Sequence, residues 1–159
     1  MEFRTADLCD EFGDELEVCE PLFRDYGGRP SFAGPIATIK CFEDNSRVRE
    51  LTAEPGQGRV LVIDAGGSRR RAVLGDMLAQ RAVDNGWSGI LVYGCVRDSV
   101  VLGQMPLGVK ALGTCPLKTE KRDEGQSQIL VRFAGVVFRP GHWLFADEDG
   151  VVVSARALL

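Results

Sequence analysis

Arg97 and Asp98 stand side by side, just after the apolar run Ile90–Tyr93 and the residues Gly94-Cys95-Val96. A guanidinium offers a planar fork of donors that matches a carboxylate. An aspartate at a strand end supplies a hard oxygen. Mg2+ is typically held by one or two carboxylates, with water and substrate oxygens filling its remaining positions. Together the two side chains could hold a small 2-oxo acid, with a cation on its carbonyl oxygen and the arginine on its carboxylate. Taken alone, the pair is better explained as a structural ion pair or a helix cap, because short motifs often match by chance.

A second stretch with chemical potential is Asp64–Arg71 (DAGGSRRR), which leads into Gly75-Asp76-Met77-Leu78. Glycines let backbone N–H groups approach an anion, but neither GxxxxGK[ST] nor GxGxxG is present. A tight strand-to-helix turn is the plainer reading, and Arg69-Arg70-Arg71 is either an anion-binding spot or a solvated one. His142 is the single histidine, which disfavours triad hydrolysis; it is expected in an exposed turn. Asp147-Glu148-Asp149 lacks the spacing of a twelve-residue calcium loop and reads as a charged turn. Five cysteines without a CxxC argue against a zinc ribbon or a thioredoxin-type site. Cys19, Cys41 and Cys95 lie in apolar stretches and are expected in the core. Arg97, two residues from Cys95, could lower that thiol's pKa, but burial is the preferred reading.

These residues need a scaffold, and the chain is long enough to provide one. It has 159 residues, 19 Lys+Arg against 23 Asp+Glu and a net charge of −4, which fits a single domain over 1–159. The acidic balance argues against direct nucleic-acid binding through phosphate neutralisation. No apolar run approaches the ~18–20 residues of a membrane span, and unpaired cysteines fit a reducing cytoplasm. Val60–Asp64 (VLVID) reads as a strand buried on both faces. An amphipathic helix is expected after Ser68, running to about Asn85, with Leu74, Met77, Leu78 and Ala82 on its apolar face. Ile90–Tyr93 is a second strand, so the middle is a βαβ unit with parallel strands. Gly94–Asp98 is expected as the loop that follows, and Asp98 as the start of a short helix. Ligands gather beyond the carboxyl ends of such strands, where both candidate loops lie. Thr5 is expected to cap a helix to about Phe12, and Asn45 one to about Thr52. Strands are expected at Leu16–Cys19, Pro35–Phe42 and Val109–Leu112, with a solvated charged loop at Lys118–Gly125. Two C-terminal hairpins are expected, Ile129–Phe133 with Val136–Phe138 and Trp143–Ala146 with Val151–Ser154.

The motifs TADLCD (5–10), EPLF (20–23), CFEDN (41–45), GRVLVIDAGGS (58–68), GCVRD (94–98) and ADEDG (146–150) follow one another along nearly the whole chain. In this the sequence resembles the family of the regulator of ribonuclease activity A, which includes class II 4-hydroxy-4-methyl-2-oxoglutarate aldolases. The resemblance implies an α/β fold of the swivelling β/β/α type and a homotrimer. It also implies one of two activities. The first is a divalent-metal-dependent aldolase, using Mg2+ or Mn2+, with oxaloacetate decarboxylase activity. The second is inhibition of ribonuclease E. It assigns Gly75, Asp76, Met77 and Leu78 to a substrate loop, Arg97 to substrate and Asp98 to the metal. An intact Arg97-Asp98 favours the aldolase branch. Val101 departs from the pattern, which expects an acidic residue there, and Asp147 and Asp149 are candidates to complete a neighbouring subunit's pocket. The family's older name as a menaquinone methyltransferase is not expected to describe the chain, which has no recognisable glycine-rich methyl-donor loop.

Overall fold

A computed structural model describes residues 2–159. The chain begins with α1 (Thr5–Phe12), a 3-10 turn (Gly13–Glu15), β1 (Leu16–Val18), β2 (Arg24–Asp25) and β3 (Phe32–Lys40). There follow α2 (Ser46–Thr52), β4 (Val60–Asp64), β5 (Ala72–Leu74), α3 (Asp76–Asp84), β6 (Gly89–Val96) and α4 (Ser99–Leu102). The last third holds β7 (Gly108–Thr114), β8 (Gln126–Ser127), β9 (Val131–Phe133), β10 (Val136–Phe138), β11 (Trp143–Asp147) and β12 (Gly150–Ser154).

One large mixed sheet runs β1-β12-β11-β3-β4-β6-β7-β2, with β5 paired to β6 and β8 to β3. Its centre, β3-β4-β6-β7, is parallel. Alternation in β4 explains how this sheet holds the molecule together. Leu61 and Ile63 join Val48 and Leu51 of α2 and Ala79 and Ala82 of α3 in one core cluster. Val60 and Val62 join Val131, Phe133, Val136 and Phe138 of the β9–β10 hairpin in another. Helices thus cover one face and a hairpin the other, which is a β/β/α layering. All five residues of β4 are buried, as expected of a strand covered on both sides. On the hairpin side Tyr93, Phe133 and Phe138 stack at centroid separations of 5.0 and 4.4 Å.

Several local expectations need correction. The segment after Ser68 is not yet helix: Ala72–Leu74 is a strand paired in parallel with the extension of β6, Ala72 opposite Cys95 and Leu74 opposite Val96. Gly94–Val96 therefore continue β6 rather than forming a loop. A short apolar run such as Ala72–Leu74 carries no periodicity that separates strand from helix, and tertiary pairing decides. The helix begins at Asp76, and Met77, assigned above to its apolar face, is 82% exposed. Thr5 does not cap α1. Its hydroxyl and its N–H both donate to buried Asp147, at 2.6 and 2.7 Å. Asn45 stands at the N-cap of α2 without a side-chain cap; its amide donates to the Val73 carbonyl at 3.0 Å. Asp44 accepts the Ser46 N–H and hydroxyl instead. Asp147 is consequently a buried strut between α1 and the β11–β12 turn, not part of a solvated charged turn.

Candidate functional site

The chain brings Gly75–Leu78 and Arg97-Asp98 to one corner, at the carboxyl end of β6 and the start of α3. The backbone sets this up before any side chain does. The Arg97 N–H donates to the Leu74 carbonyl at 2.9 Å, which ties the end of β6 to the segment entering α3. Asp98 then adopts a left-handed conformation, φ 58 and ψ 41, which Asp tolerates better than most residues. It occupies the N-cap position of α4 but makes no side-chain cap there. Its Oδ2 accepts the N–H of Asp76, the first residue of α3, at 2.9 Å. The helix-cap reading is thus half right: Asp98 serves the N-terminus of a different helix, where a carboxylate is favoured by the unpaired N–H groups and the dipole.

Arg97 and Asp98 are not locked together. Arg97 Nε lies 4.0 Å from Asp98 Oδ2, and the two side chains are 38% and 36% exposed. The guanidinium makes a long bond of 3.5 Å from Nη1 to the Pro116 carbonyl. Asp98 Oδ1 has no hydrogen-bond partner among the described residues. The corner therefore presents one carboxylate oxygen, one guanidinium and the opening N–H groups of α3.

This donor set fits a hard divalent cation that shares its shell with water and a chelating substrate, since one carboxylate is enough for such a site. It does not fit an all-protein cage: among the described residues no three His, Cys, Asp or Glu side chains cluster as metal ligands. Val101 lies on α4 three residues beyond Asp98, exposed and apolar.

The Asp64–Arg71 stretch does not join this corner as a ligand loop. Asp64 is buried and paired with Lys40 at 3.0 Å, and its Oδ1 accepts the Gly66 N–H. The N–H groups of Gly67 and Ser68 go to the carbonyls of Tyr93 and Ala65. The Ser68 hydroxyl donates to Glu43 at 2.6 Å. The turn has spent its donors on itself, so the phosphate-cradle reading falls and the tight-turn reading holds. Gly66 and Gly67 have φ of 68° and 72°, the left-handed region that glycine enters without steric cost.

Cys19, Cys41 and Cys95 are buried as expected. Burial pushes the Cys19 and Cys41 thiols up to about 12. It also raises Cys95, against a partial lowering by Arg69 rather than Arg97. A depression of about 580 Å3 lies elsewhere, beside Ser46, Arg49, Arg81, Lys121 and Arg122. Arg49 and Arg81 stand in the last turns of α2 and α3, where a helix favours cations, and the lysine and its neighbour belong to the charged loop. The depression is therefore not the candidate centre. The contribution of Pro116 to the corner left no signal in the sequence, because only the β6–β7 pairing brings it beside Arg97.

Comparison with known proteins places the whole chain. A model of the RraA-like family, described as Aldolase/RraA, matches residues 5–153. A protein of Laribacter hongkongensis named "Putative 4-hydroxy-4-methyl-2-oxoglutarate aldolase" is 60% identical over the full length of both chains. One of the same name from Xanthomonas campestris pv. campestris is 58% identical over 99% of this chain and 95% of its own. Among solved structures, S-adenosylmethionine: 2-dimethylmenaquinone methyltransferase from Geobacillus kaustophilus HTA426 matches with a TM-score of 0.96 and 51% identity, covering 98% of this chain and 97% of that one. The RNA-processing inhibitor RraA from Thermus thermophilis matches with a TM-score of 0.96 and 42% identity, over 100% and 96%. The fold is thus shared with these solved structures, and the chain belongs to the RraA-like family.

Proposed function

We propose that the protein is a divalent-metal-dependent class II aldolase that cleaves 4-hydroxy-4-methyl-2-oxoglutarate to two pyruvates and also decarboxylates oxaloacetate. The observation that carries this reading is the convergence of Arg97, Asp98 and the Gly75–Leu78 segment on one solvent-accessible corner, in a chain whose full-length relatives bear that aldolase's name. Asp98 is the residue that holds the cation, with Oδ1 free while Oδ2 stays on the Asp76 N–H. A bound Mg2+ or Mn2+ supplies Lewis-acid polarisation of a 2-oxo group. Arg97 pairs with the substrate carboxylate and faces the oxygen on which negative charge builds as the C–C bond breaks, a role worth most where donors are held in place beforehand. The N–H groups of Met77 and Leu78, in the first turn of α3, have no helical acceptor and suit a second substrate oxygen. Neither 75–78 nor 94–98 contains a lysine, and the reading needs no Schiff base.

The same corner accounts for both reactions, because each leaves charge on the same 2-oxo oxygen. The test is pyruvate release from both substrates, with and without chelator, by wild type, Arg97→Ala and Asp98→Ala. Each substitution is expected to lower turnover by about 100-fold or more. Activity that survives both chelation and Asp98→Ala defeats the proposal. The reading includes a homotrimer in the cytoplasm, with residues 1–159 working as one domain. The methyl transfer named for the Geobacillus structure finds no support at the Gly66–Ser68 turn, whose amides are engaged internally.

A second reading is inhibition of ribonuclease E. It is favoured by the 42%-identical inhibitor structure and by Val101, which puts an apolar side chain where the resemblance expects an acid. A ribonuclease E assay showing no change with excess protein removes it. If both activities are present, Asp98→Ala separates them by abolishing cleavage and leaving inhibition.

A further inference from the structure

Gly75 enters the site by what it lacks. A Cβ built on it would stand 2.7 Å from Asp98 Oδ2, 3.2 Å from Arg97 Cγ and 3.3 Å from Arg97 Nε. All three are side-chain atoms of the two residues on which the proposed chemistry depends. Gly75 is not there for backbone freedom: its φ of −133 and ψ of −166 are extended values that any residue adopts. Its carbonyl accepts the Ala79 N–H as the first bond of α3, and an alanine would do the same. The closest atoms a side chain would meet at this position belong to Asp98 and Arg97.

We infer that Gly75 is a positioning residue: its missing side chain is the niche in which the Asp98 carboxylate reaches the Asp76 N–H and the Arg97 stem lies alongside. The carboxylate is thereby divided. Oδ2 is held by the helix, which leaves Oδ1 for a ligand. Without the niche Asp98 must rotate away from α3, and both oxygens become mobile. Groups that orient a metal ligand from behind typically contribute 10–100-fold in metal affinity. The inference rests on the proposed cation site and assigns to Gly75 a task distinct from contacting substrate.

Gly75→Ala is a clean probe, since the backbone is unstrained and the atom it would crowd most, Asp98 Oδ2 at 2.7 Å, is the end of a side chain. Mn2+ alone is titrated into the full-length protein and followed by electron paramagnetic resonance, with thermal unfolding measured in parallel. The expected result is Mn2+ binding weakened by about 10–100-fold with the melting temperature within a few degrees of wild type. Asp98→Asn, which keeps an oxygen for the Asp76 N–H but loses the charge, should abolish binding. Wild-type affinity in Gly75→Ala overturns the positioning role while leaving the cation site intact. Failure of the wild type itself to bind Mn2+ overturns both. Should Gly75→Ala unfold, a 15N chemical-shift comparison of the Asp76 amide in wild type and Asp98→Ala replaces it. An Asp76 amide that does not move when Asp98 is truncated also overturns the inference.

Discussion

At the scale of single residues, the site depends on which atom is already committed. Asp98 spends one oxygen on the Asp76 N–H at 2.9 Å and keeps the other; Arg97 keeps most of its donors, with a 3.5 Å bond to Pro116. Val101, one turn along α4 and exposed, is the position from which an acid could order water around a cation at Asp98. Val101→Glu is therefore expected to tighten Mn2+ binding by about tenfold, read by metal titration; an unchanged titration means that the side chain at 101 does not face the cation's water. The thiols behave in the opposite sense. Cys19 and Cys41 are held near 12 by burial, and only a thiolate attacks an alkylating agent. Both are expected to resist iodoacetamide in the native protein at pH 8 and to react once it is unfolded, as peptide mass mapping would show. Rapid labelling of either in the native state would contradict their burial.

Among the elements, the joints matter more than the strands themselves. Asp147 accepts from the Thr5 N–H and hydroxyl and from the Asp149 N–H, pinning α1 to the β11–β12 turn. Asp147→Ala leaves the buried Thr5 donors without an acceptor and is expected to cost about 3 kcal/mol of stability, measured by urea unfolding. This joint also marks where the sequence stopped being legible. The β4, β6 and hairpin strands were readable because apolar runs bounded by glycines have few alternatives. Asp147 looked like a turn residue because its partner is 142 positions away. The β5 strand was misread as helix for the same reason: Ala72–Leu74 is a strand because β6 lies beside it. In the candidate site, Arg97-Asp98 stands out by residue type at a strand end, while the roles expected for it and for 75–78 come from the resemblance. Their juxtaposition, the αL turn at Asp98 and the niche at Gly75 belong to the tertiary fold and leave no mark in local sequence.

For the whole molecule, two buried carboxylates link the fold to pH. Burial pushes Asp44 up, but hydrogen bonds from the Ser46 hydroxyl and the N–H groups of Ser46, Arg122 and Glu124 outweigh it and hold the carboxyl below its usual value. Asp147 behaves alike: burial raises it, while bonds from Thr5, Asp149 and Gly150 bring it down further. A carboxyl whose folded pKa is depressed binds its proton more readily in the unfolded chain. Its stabilisation is complete above the unfolded value of about 3.9 and disappears as pH falls through the lower folded value. The protein is therefore expected to keep its melting temperature from pH 7 to about pH 5 and to lose it steeply below about pH 4. Asp44 fastens the 119–125 loop to α2, and Asp147 fastens α1 to the C-terminal hairpin, so both joints should loosen together. Calorimetry across pH on wild type and Asp147→Asn checks the assignment. The variant, which no longer has a charge to neutralise there, should start less stable at pH 7 and show a shallower acid slope; an unchanged slope would mean that other carboxylates govern acid unfolding.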